Sequence, residues 1–233
     1  VATNVGVFWP KRGILRKPGL AVVEFLPVIA PGLAVPDFMA RLEKAIPRCR
    51  QDCSSVALLF IDLDRFKNIN DTLGHSAGDR LLQMVGDRLK GICPRPDSIA
   101  RLAGDEFALM VEGVTNPGES ERIAQEVVAA FHAPFELNGR QLYVNASVGI
   151  ATYPTDSDDA ESMVKHADIA MFHAKLSGRA TWVNFSAVME GNLLDNLSLE
   201  TSLHGALDNQ EFEVVFQPIL NPADQRTVAV EVL

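Results

Sequence analysis

The chain has 233 residues, of which 47% are hydrophobic, so it can bury the core of one domain, alone or with additional segments. Its net charge of −9 at pH 7 disfavours nonspecific binding to nucleic-acid polymers or to anionic membranes. No apolar run approaches the length of a transmembrane helix and no signal peptide is recognisable, which predicts a cytoplasmic protein or the cytoplasmic part of a larger, membrane-associated one.

The pattern of cysteines also favours the cytosol. Cys49 and Cys53 form a C-x3-C pair, and Cys93 stands alone. No second ligand pair follows downstream, so a zinc site is not predicted. We expect free thiols in a reducing cytosol.

The first part of the chain differs from the rest, because prolines bound its short apolar runs. The stretches Phe8–Arg12 and Val23–Pro27 resemble the C-terminal part of a bacterial lysophosphatidic acid acyltransferase. The H-x4-D motif that this family uses for catalysis is absent, since the first histidine of the chain is His75. Residues 1–46 are therefore expected to be a noncatalytic, acyltransferase-like segment.

From Val56 onward, strands and helices alternate. Apolar periodicity predicts helices at Phe66–Leu73, Gly78–Ile92, Ser120–Phe131 and Glu161–Leu176, the last with Gly178 as its C-cap. It predicts strands at Val56–Asp62, Ser98–Leu102, Phe107–Val111, Phe135–Leu137, Gln141–Ala151 and Thr181–Phe185, with Asn138-Gly139 as a hairpin turn. This order predicts an α/β (α+β) fold in which helices flank a central, mostly antiparallel sheet.

The end of the chain is predicted to hold a linker helix at about Met189–Asn209 and a strand at Val214–Ile219. The segment Glu211–Leu233 resembles the opening of an EAL phosphodiesterase domain, with Glu231-Val232-Leu233 standing where E-A-L would. The remaining metal ligands and the base of that domain are not in this sequence. We therefore do not expect these residues to hydrolyse cyclic di-GMP.

Carboxylates end two apolar runs of the predicted sheet. Asp105 and Glu106 follow Gly104 at the turn of a hairpin, and the strand from Val56 ends at Asp62. Neighbouring acids repel one another, and a hard divalent cation with oxygen ligands relieves that repulsion. Taken alone, the Gly104-Asp105-Glu106 stretch is also typical of a solvated turn, and Asp62 is also typical of a strand-end or helix-capping acid. Together they favour a metal site and phosphate chemistry.

Longer motifs surround these acids, and several long motifs in one order are far more specific than a single short one. They are Asp62-Leu63-Asp64-Arg65-Phe66-Lys67-Asn68-Ile69-Asn70-Asp71, Gly74-His75-Ser76-Ala77-Gly78-Asp79, Ala103-Gly104-Asp105-Glu106-Phe107 and Ala167–Arg179. Over roughly Arg41–Phe185 the chain resembles the GGDEF, or diguanylate cyclase, domain. The resemblance implies a nucleotidyl-cyclase-like fold at 47–187, followed by a linker helix at 188–210 and the EAL-like start at 211–233.

The resemblance also implies a site. Asp62, the carbonyl of Leu63 and Asp105 would hold Mg²⁺ or Mn²⁺. Glu106, with Asp105, would be catalytic and would assist deprotonation of the 3′-hydroxyl of GTP. The substrate-binding residues would be Arg65, Phe66 and Lys67 through their backbone amides, Gly104, the phosphate-contacting pair Lys175 and Arg179, and the guanine-reading Asn70 and Asp79.

The chain departs from the family pattern in two places. Ala103 replaces the first glycine of the signature, and an alanine costs about 1 kcal/mol if this position needs a positive φ or a close approach to the nucleotide. In product-inhibited cyclases an R-x-x-D motif precedes the signature. Here that slot reads Pro94-Arg95-Pro96-Asp97, so product feedback is not expected.

Three functions follow from these patterns. The first is a bacterial diguanylate cyclase that condenses two GTP into cyclic di-GMP with Mg²⁺, as a homodimer in which each protomer holds one GTP. The second is a catalytically weak, GTP-binding regulatory domain of a GGDEF–EAL signalling protein, which Ala103 and the EAL-like end favour. The third, a phospholipid-synthesis protein, is supported only by residues 1–46.

Overall fold

The structure is a computed structural model that describes residues 2–3, 23–24, 34–93, 98–116, 118–137, 139–191, 206, 209, 211, 213–222 and 224–232. Its helices are α1 (Val35–Gln51), α2 (Phe66–Leu73), α3 (His75–Ile92), α4 (Glu119–Ala130) and α5 (Ala160–Leu176). Its strands are β1 (Ala2–Thr3), β2 (Val23–Glu24), β3 (Ser55–Leu63), β4 (Ile99–Ala103), β5 (Glu106–Val114), β6 (Phe135–Leu137), β7 (Arg140–Leu142), β8 (Ala146–Tyr153), β9 (Trp182–Asn184), β10 (Phe216–Leu220) and β11 (Thr227–Val232).

A five-stranded sheet in the order β4-β5-β3-β8-β9 forms the centre of the first of two compact units, which spans 1–189. The central strand β3 is buried over eight of its nine residues, because both of its faces are covered by helices. It pairs antiparallel with β5 and β8, whereas β9 joins β8 in parallel. The prediction of a mostly antiparallel sheet flanked by helices is confirmed.

Two hydrophobic clusters lie on opposite faces of this sheet. On one face, Phe38 and Leu42 of α1 and Met163 of α5 pack against alternate residues of β3 such as Leu58. On the other face, apolar residues of α3 and α4 pack against the remaining β3 residues, among them Leu59. The alternation along β3 thus assigns each side chain to one helical layer.

Gly149 allows α5 to lie directly on the sheet. A Cβ atom at this position would stand 2.0 Å from the Ala167 carbonyl oxygen and 2.1 Å from the Met171 nitrogen. Both are backbone atoms, so the helix would have to move away to admit a side chain. This close packing fixes α5, and with it Lys175 near its C-terminal end.

The prediction of one strand at Gln141–Ala151 was wrong. The chain forms two strands, because β7 pairs with β6 in a separate two-stranded sheet, whereas β8 pairs with β3. The residues between them belong to neither ladder, and there Asn145 accepts a hydrogen bond from the Asp64 backbone N–H (2.9 Å). The helix expected from Gly78 begins earlier, at His75.

Three further expectations concern the end of α5, the β6–β7 hairpin and the cysteines. The prediction of Gly178 as the C-cap of α5 was wrong by one residue, because the C-cap is Ser177 and Gly178, with a φ of +114°, is the residue that follows it. The pairing of Leu137 with Arg140 confirms the β6–β7 hairpin, although Asn138 lies outside the described residues. Among the described residues, Cys49, Cys53 and Cys93 form no disulfide bond.

The two ends of the chain are described only in part. Strands β1 and β2 pair antiparallel, but most of residues 1–33 lies outside the described residues, as does most of the predicted linker helix at Met189–Asn209. In the second unit, 190–233, strands β10 and β11 form an antiparallel hairpin. Among the described residues, no helix is both long enough and apolar enough to cross a membrane.

Candidate functional site

The carboxylates that the sequence singled out meet at one edge of the central sheet. Asp62, near the end of β3, is the cross-strand partner of Glu106, the first residue of β5. Residues that face each other in an antiparallel ladder lie about 5 Å apart at their Cα atoms. The hairpin that carries Asp105 therefore folds back onto the end of the buried strand.

The tip of the β4–β5 hairpin is shaped by Gly104. This residue has a φ of +49°, and its carbonyl oxygen accepts a hydrogen bond from Arg101 Nε (2.8 Å). Ala103, in contrast, is the last residue of β4 and is not among the residues with positive φ. The suspected need for a left-handed backbone at Ala103 is therefore wrong, because the turn places that conformation on the glycine that follows.

Lys175 neutralises Asp62. The Lys175 Nζ atom lies 2.7 Å from Asp62 Oδ2, and the aspartate side chain is only 9% exposed. Burial raises the pKa of Asp62, the bond to Lys175 opposes that rise, and the negative charges of Asp105 and Asp64 add to it. The ion pair with Lys175 therefore stabilises the charged form of this carboxylate.

Glu106 is partly buried and lies near several other carboxylates. Its pKa is raised, first by partial burial and then by the negative charges of Asp168, Asp62 and Asp105, while Lys175 lowers it. A raised pKa brings a carboxylate closer to the operating pH of a general base. Asp168 was not among the predicted site residues, although its position seven residues before Lys175 puts both on one face of α5.

The donor set at this edge suits a hard divalent cation. Asp62, Asp105 and the carbonyl of Leu63 offer oxygen atoms only, and Mg²⁺ in proteins commonly takes one or two carboxylates and keeps several waters. Within the described part of the chain, no group of three or more His, Cys, Asp or Glu side chains could by itself hold a metal ion. These three groups alone would leave most coordination positions of such an ion to other ligands.

The residues expected to bind phosphate lie on both sides of this edge. α2 begins at Phe66, and the preceding Arg65 has a left-handed φ of 60°, so the backbone N–H groups at 65–67 open a helix. The two positively charged side chains expected at the phosphates form ion pairs with different aspartates. Lys175 contacts Asp62, whereas Arg179 Nε lies 3.9 Å from Asp64 Oδ1. Asp64 was not among the predicted site residues.

One of the two predicted guanine-reading residues, Asn70, lies at a helix–helix contact. Asn70 and Asp79 lie on α2 and α3, which are joined at Gly74. The Oδ1 atom of Asn70 is buried and lacks a hydrogen-bond partner among the described residues. It packs against Gly78, where a Cβ atom would stand only 1.9 Å away. A buried carbonyl oxygen without a partner is costly unless a ligand supplies a donor.

A protein-family model covers most of the first unit. The family model for the diguanylate cyclase GGDEF domain matches residues 37–181. The chain belongs to the GGDEF family. The match begins inside the 1–46 segment that the sequence analysis set apart, and α1, which starts at Val35, packs into the same core.

The curated relatives of this chain are named for more than one activity. From Pseudomonas aeruginosa, the cyclic di-GMP phosphodiesterase NbdA is 36% identical over 188 residues, which are 81% of this chain and 24% of that protein. The diguanylate cyclase TpbB from the same organism is 38% identical over 145 residues, 62% of this chain and 33% of its own length. The chain thus spans about a quarter to a third of these relatives.

A solved structure supports the fold, and its match extends over nearly all of the solved chain. The GGDEF domain of YfiN, also called TpbB, from Pseudomonas aeruginosa superposes with a TM-score of 0.64 at 36% identity. The superposition covers 65% of this chain and 95% of that one. The slot of the R-x-x-D motif, 94–97, lies outside the described residues, so the absence of high-affinity product feedback stays a prediction.

Proposed function

We propose that this GGDEF domain condenses two molecules of GTP into cyclic di-GMP, as a homodimer that depends on Mg²⁺ or Mn²⁺. The observation that carries the proposal is the convergence of Asp62, Glu106 and Lys175 at one sheet edge, with the Lys175–Asp62 ion pair at 2.7 Å. The relatives named as diguanylate cyclases add support.

In this proposal the chain's own residues hold and orient the nucleotide. The side-chain amide of Asn70 hydrogen-bonds to the guanine edge, and the Asp79 carboxylate accepts a hydrogen bond from it. Lys175, Arg179 and the N–H groups at the start of α2 bind the phosphates. A divalent ion bound by Asp62, Asp105 and the Leu63 carbonyl would neutralise the triphosphate and polarise the α-phosphate.

Each bond is made by a 3′-hydroxyl oxygen that attacks the α-phosphorus of the second GTP. The bond between that phosphorus and the oxygen bridging to the β-phosphate breaks, and pyrophosphate leaves. Glu106 takes the hydroxyl proton, a role that its raised pKa favours. Two such steps close the ring, and two protomers are needed because each site holds one GTP.

A GTP-binding regulatory domain is the second candidate. It is favoured by Ala103 in the signature and by relatives such as NbdA, which is named as a phosphodiesterase. In this case the domain binds GTP through the same residues but forms no product. The EAL-like residues 211–233 belong, on this proposal, to the start of the phosphodiesterase domain that it regulates.

The decisive experiment is to incubate concentrated protein with labelled GTP and MgCl₂ and to separate the nucleotides. The comparison variants are Asp105→Asn/Glu106→Gln and, as a surface control of similar charge, Asp87→Asn, whose side chain is 78% exposed. Cyclic di-GMP from the parent and the control, but not from the double variant, supports the cyclase. GTP binding without product supports the regulatory domain, and the absence of GTP binding rejects both.

A further inference from the structure

Asp64 is a buried carboxylate that the proposed chemistry does not use. Its side chain is only 6% exposed. Its Oδ1 atom accepts a hydrogen bond from Ser147 Oγ (2.8 Å), and its Oδ2 atom accepts one from the backbone N–H of Ala180 (3.1 Å). A buried carboxylate with this many donors is held in one orientation. It therefore connects the end of β3 to β8 and to the turn after α5.

The turn that Asp64 contacts has an unfavourable backbone. Gly178, Arg179 and Ala180 have φ values of +114°, +67° and +49° in succession. A residue other than glycine pays about 1 kcal/mol or more in this region, so two of them persist only where the surroundings hold them. The Arg179 N–H donates to the Ala174 carbonyl oxygen at 3.2 Å, and the Ala180 N–H donates to Asp64.

The same carboxylate also faces the Arg179 side chain. Arg179 Nε lies 3.9 Å from Asp64 Oδ1, while half of the arginine side chain is exposed. Asp64, Arg65, Tyr143 and Arg179 line one side of a cavity of about 440 Å³, which also includes Asn68 and Asn145. Asp64 thus contacts both the backbone and the guanidinium of the turn that presents Arg179 to this cavity.

We propose that Asp64 is a positioning residue that fixes the 178–180 turn and aims Arg179 at the phosphates of the bound nucleotide. The inference rests on the proposed function, since it needs GTP as the ligand. It does not make Asp64 a catalytic residue, because the carboxylate is used by Ser147, Ala180 and Arg179. Its effect on GTP is exerted through Arg179.

A residue that positions Arg179 affects the binding of ligands with distal phosphates, whereas a purely structural residue affects the binding of all ligands alike. The isosteric Asp64→Asn variant keeps a carbonyl oxygen for the Ala180 N–H, and its amide can donate to the Ser147 hydroxyl, but the charge that holds Arg179 is lost. Binding of 3′-deoxy-GTP, which lacks the nucleophilic hydroxyl, should weaken about tenfold, as expected for residues coupled in one network. Binding of GMP should stay within about twofold, because GMP lacks the distal phosphates.

Two further variants make the test specific. In an Arg179→Met background, Asp64→Asn should add less than about twofold to the loss of 3′-deoxy-GTP binding, since the residue through which it acts is gone. Ser147→Ala removes a hydrogen bond from the same carboxylate without touching the turn. It should lower the free energy of unfolding but change the ratio of the two affinities less than Asp64→Asn does, because the charge and the bond to the Ala180 N–H remain.

The affinities are measured by calorimetry and the folding of each variant by urea unfolding. Equal binding of 3′-deoxy-GTP by the parent and by Asp64→Asn overturns the inference while leaving the proposed function standing. A parallel loss of GMP and 3′-deoxy-GTP binding, or additive effects with Arg179→Met, also overturns it. If the parent binds neither GTP nor 3′-deoxy-GTP, the proposed function fails, and the role of Asp64 falls with it.

Discussion

The Lys175 Nζ atom lies 2.7 Å from Asp62 Oδ2, so the cation expected at the phosphates is paired with the carboxylate expected at the metal. Removing the lysine leaves a buried carboxylate without its counter-ion. We predict that Lys175→Met lowers the free energy of unfolding by about 1–3 kcal/mol at neutral pH. It should also raise the pKa of Asp62 further, because the interaction that opposes burial is lost.

A double-mutant cycle in urea separates this pair from general effects. Asp62→Asn/Lys175→Met should be more stable than Lys175→Met alone, because the uncompensated charge is gone. Lys44→Met, at an exposed position of α1, is the matched control and should change stability by less than about 0.5 kcal/mol. Equal effects of the two single lysine substitutions would show that the ion pair contributes nothing.

Ala103 gives a second prediction, about the signature. Since the left-handed backbone lies at Gly104 and not at Ala103, Ala103→Gly relieves no strain. We expect it to lower the free energy of unfolding by about 0.5–1 kcal/mol, because glycine loses more backbone entropy on folding. Nucleotide affinity should change by less than about twofold, the size of an ordinary surface substitution.

Gly104→Ala is the comparison variant for that measurement. A Cβ atom there meets nothing within 4 Å, so any loss comes from the φ of +49° rather than from a clash. We expect it to weaken GTP binding more than Ala103→Gly does, as measured by calorimetry. A large gain in GTP binding or in cyclic di-GMP formation by Ala103→Gly would mean that the methyl group crowds the nucleotide.

Structural features that depend on residues close together in the sequence were predictable, whereas contacts between residues far apart in the sequence were not. The bounds of α2 and the burial of β3 follow from apolar periodicity within each segment, and Asp62 follows from the end of its own strand. Asp64, in contrast, acquires its role through Ala180, which is 116 residues away in sequence. The division of the predicted strand at Gln141–Ala151 likewise depends on which strands its two halves pair with.

Asp159 provides a prediction about pH. It caps α5 by accepting the Ser162 N–H at 2.7 Å, and the Asp159 N–H in turn donates to Ser162 Oγ. These bonds lower the pKa of Asp159 below its ordinary value of 3.8. A carboxyl with a lowered pKa in the folded state stabilises the fold fully above its unfolded pKa, and this contribution is lost as the pH falls through the folded value.

We therefore expect Asp159→Ala to lower the Tm at pH 7, and the difference from the parent to shrink as the pH falls below 3.8. The matched control is Asp158→Ala, which removes the same charge at an exposed neighbouring position. Thermal unfolding followed by circular dichroism gives both differences. A Tm difference that is the same at every pH, or equal to that of Asp158→Ala, would contradict the capping role of the charged form.

Gly78 tests guanine recognition without substituting a residue that is proposed to contact the base. A Cβ atom at Gly78 would stand 1.9 Å from Asn70 Oδ1 and 3.1 Å from the Phe66 ring, so the Asn70 side chain must move in Gly78→Ala. Alanine favours a helix over glycine by about 1 kcal/mol, which offsets the cost of that movement. We expect little change in the free energy of unfolding but a weaker affinity for GTP and a smaller preference for GTP over ATP.

Gly91→Ala is the matched control, because Gly91 is an exposed residue of the same helix and a Cβ atom there meets nothing within 4 Å. It should raise the free energy of unfolding by up to about 1 kcal/mol and leave both nucleotide affinities unchanged. Calorimetric titration with GTP and with ATP measures the preference directly. If Gly78→Ala binds GTP as tightly and as selectively as Gly91→Ala, Asn70 does not read the guanine, and its buried Oδ1 serves only the contact between α2 and α3.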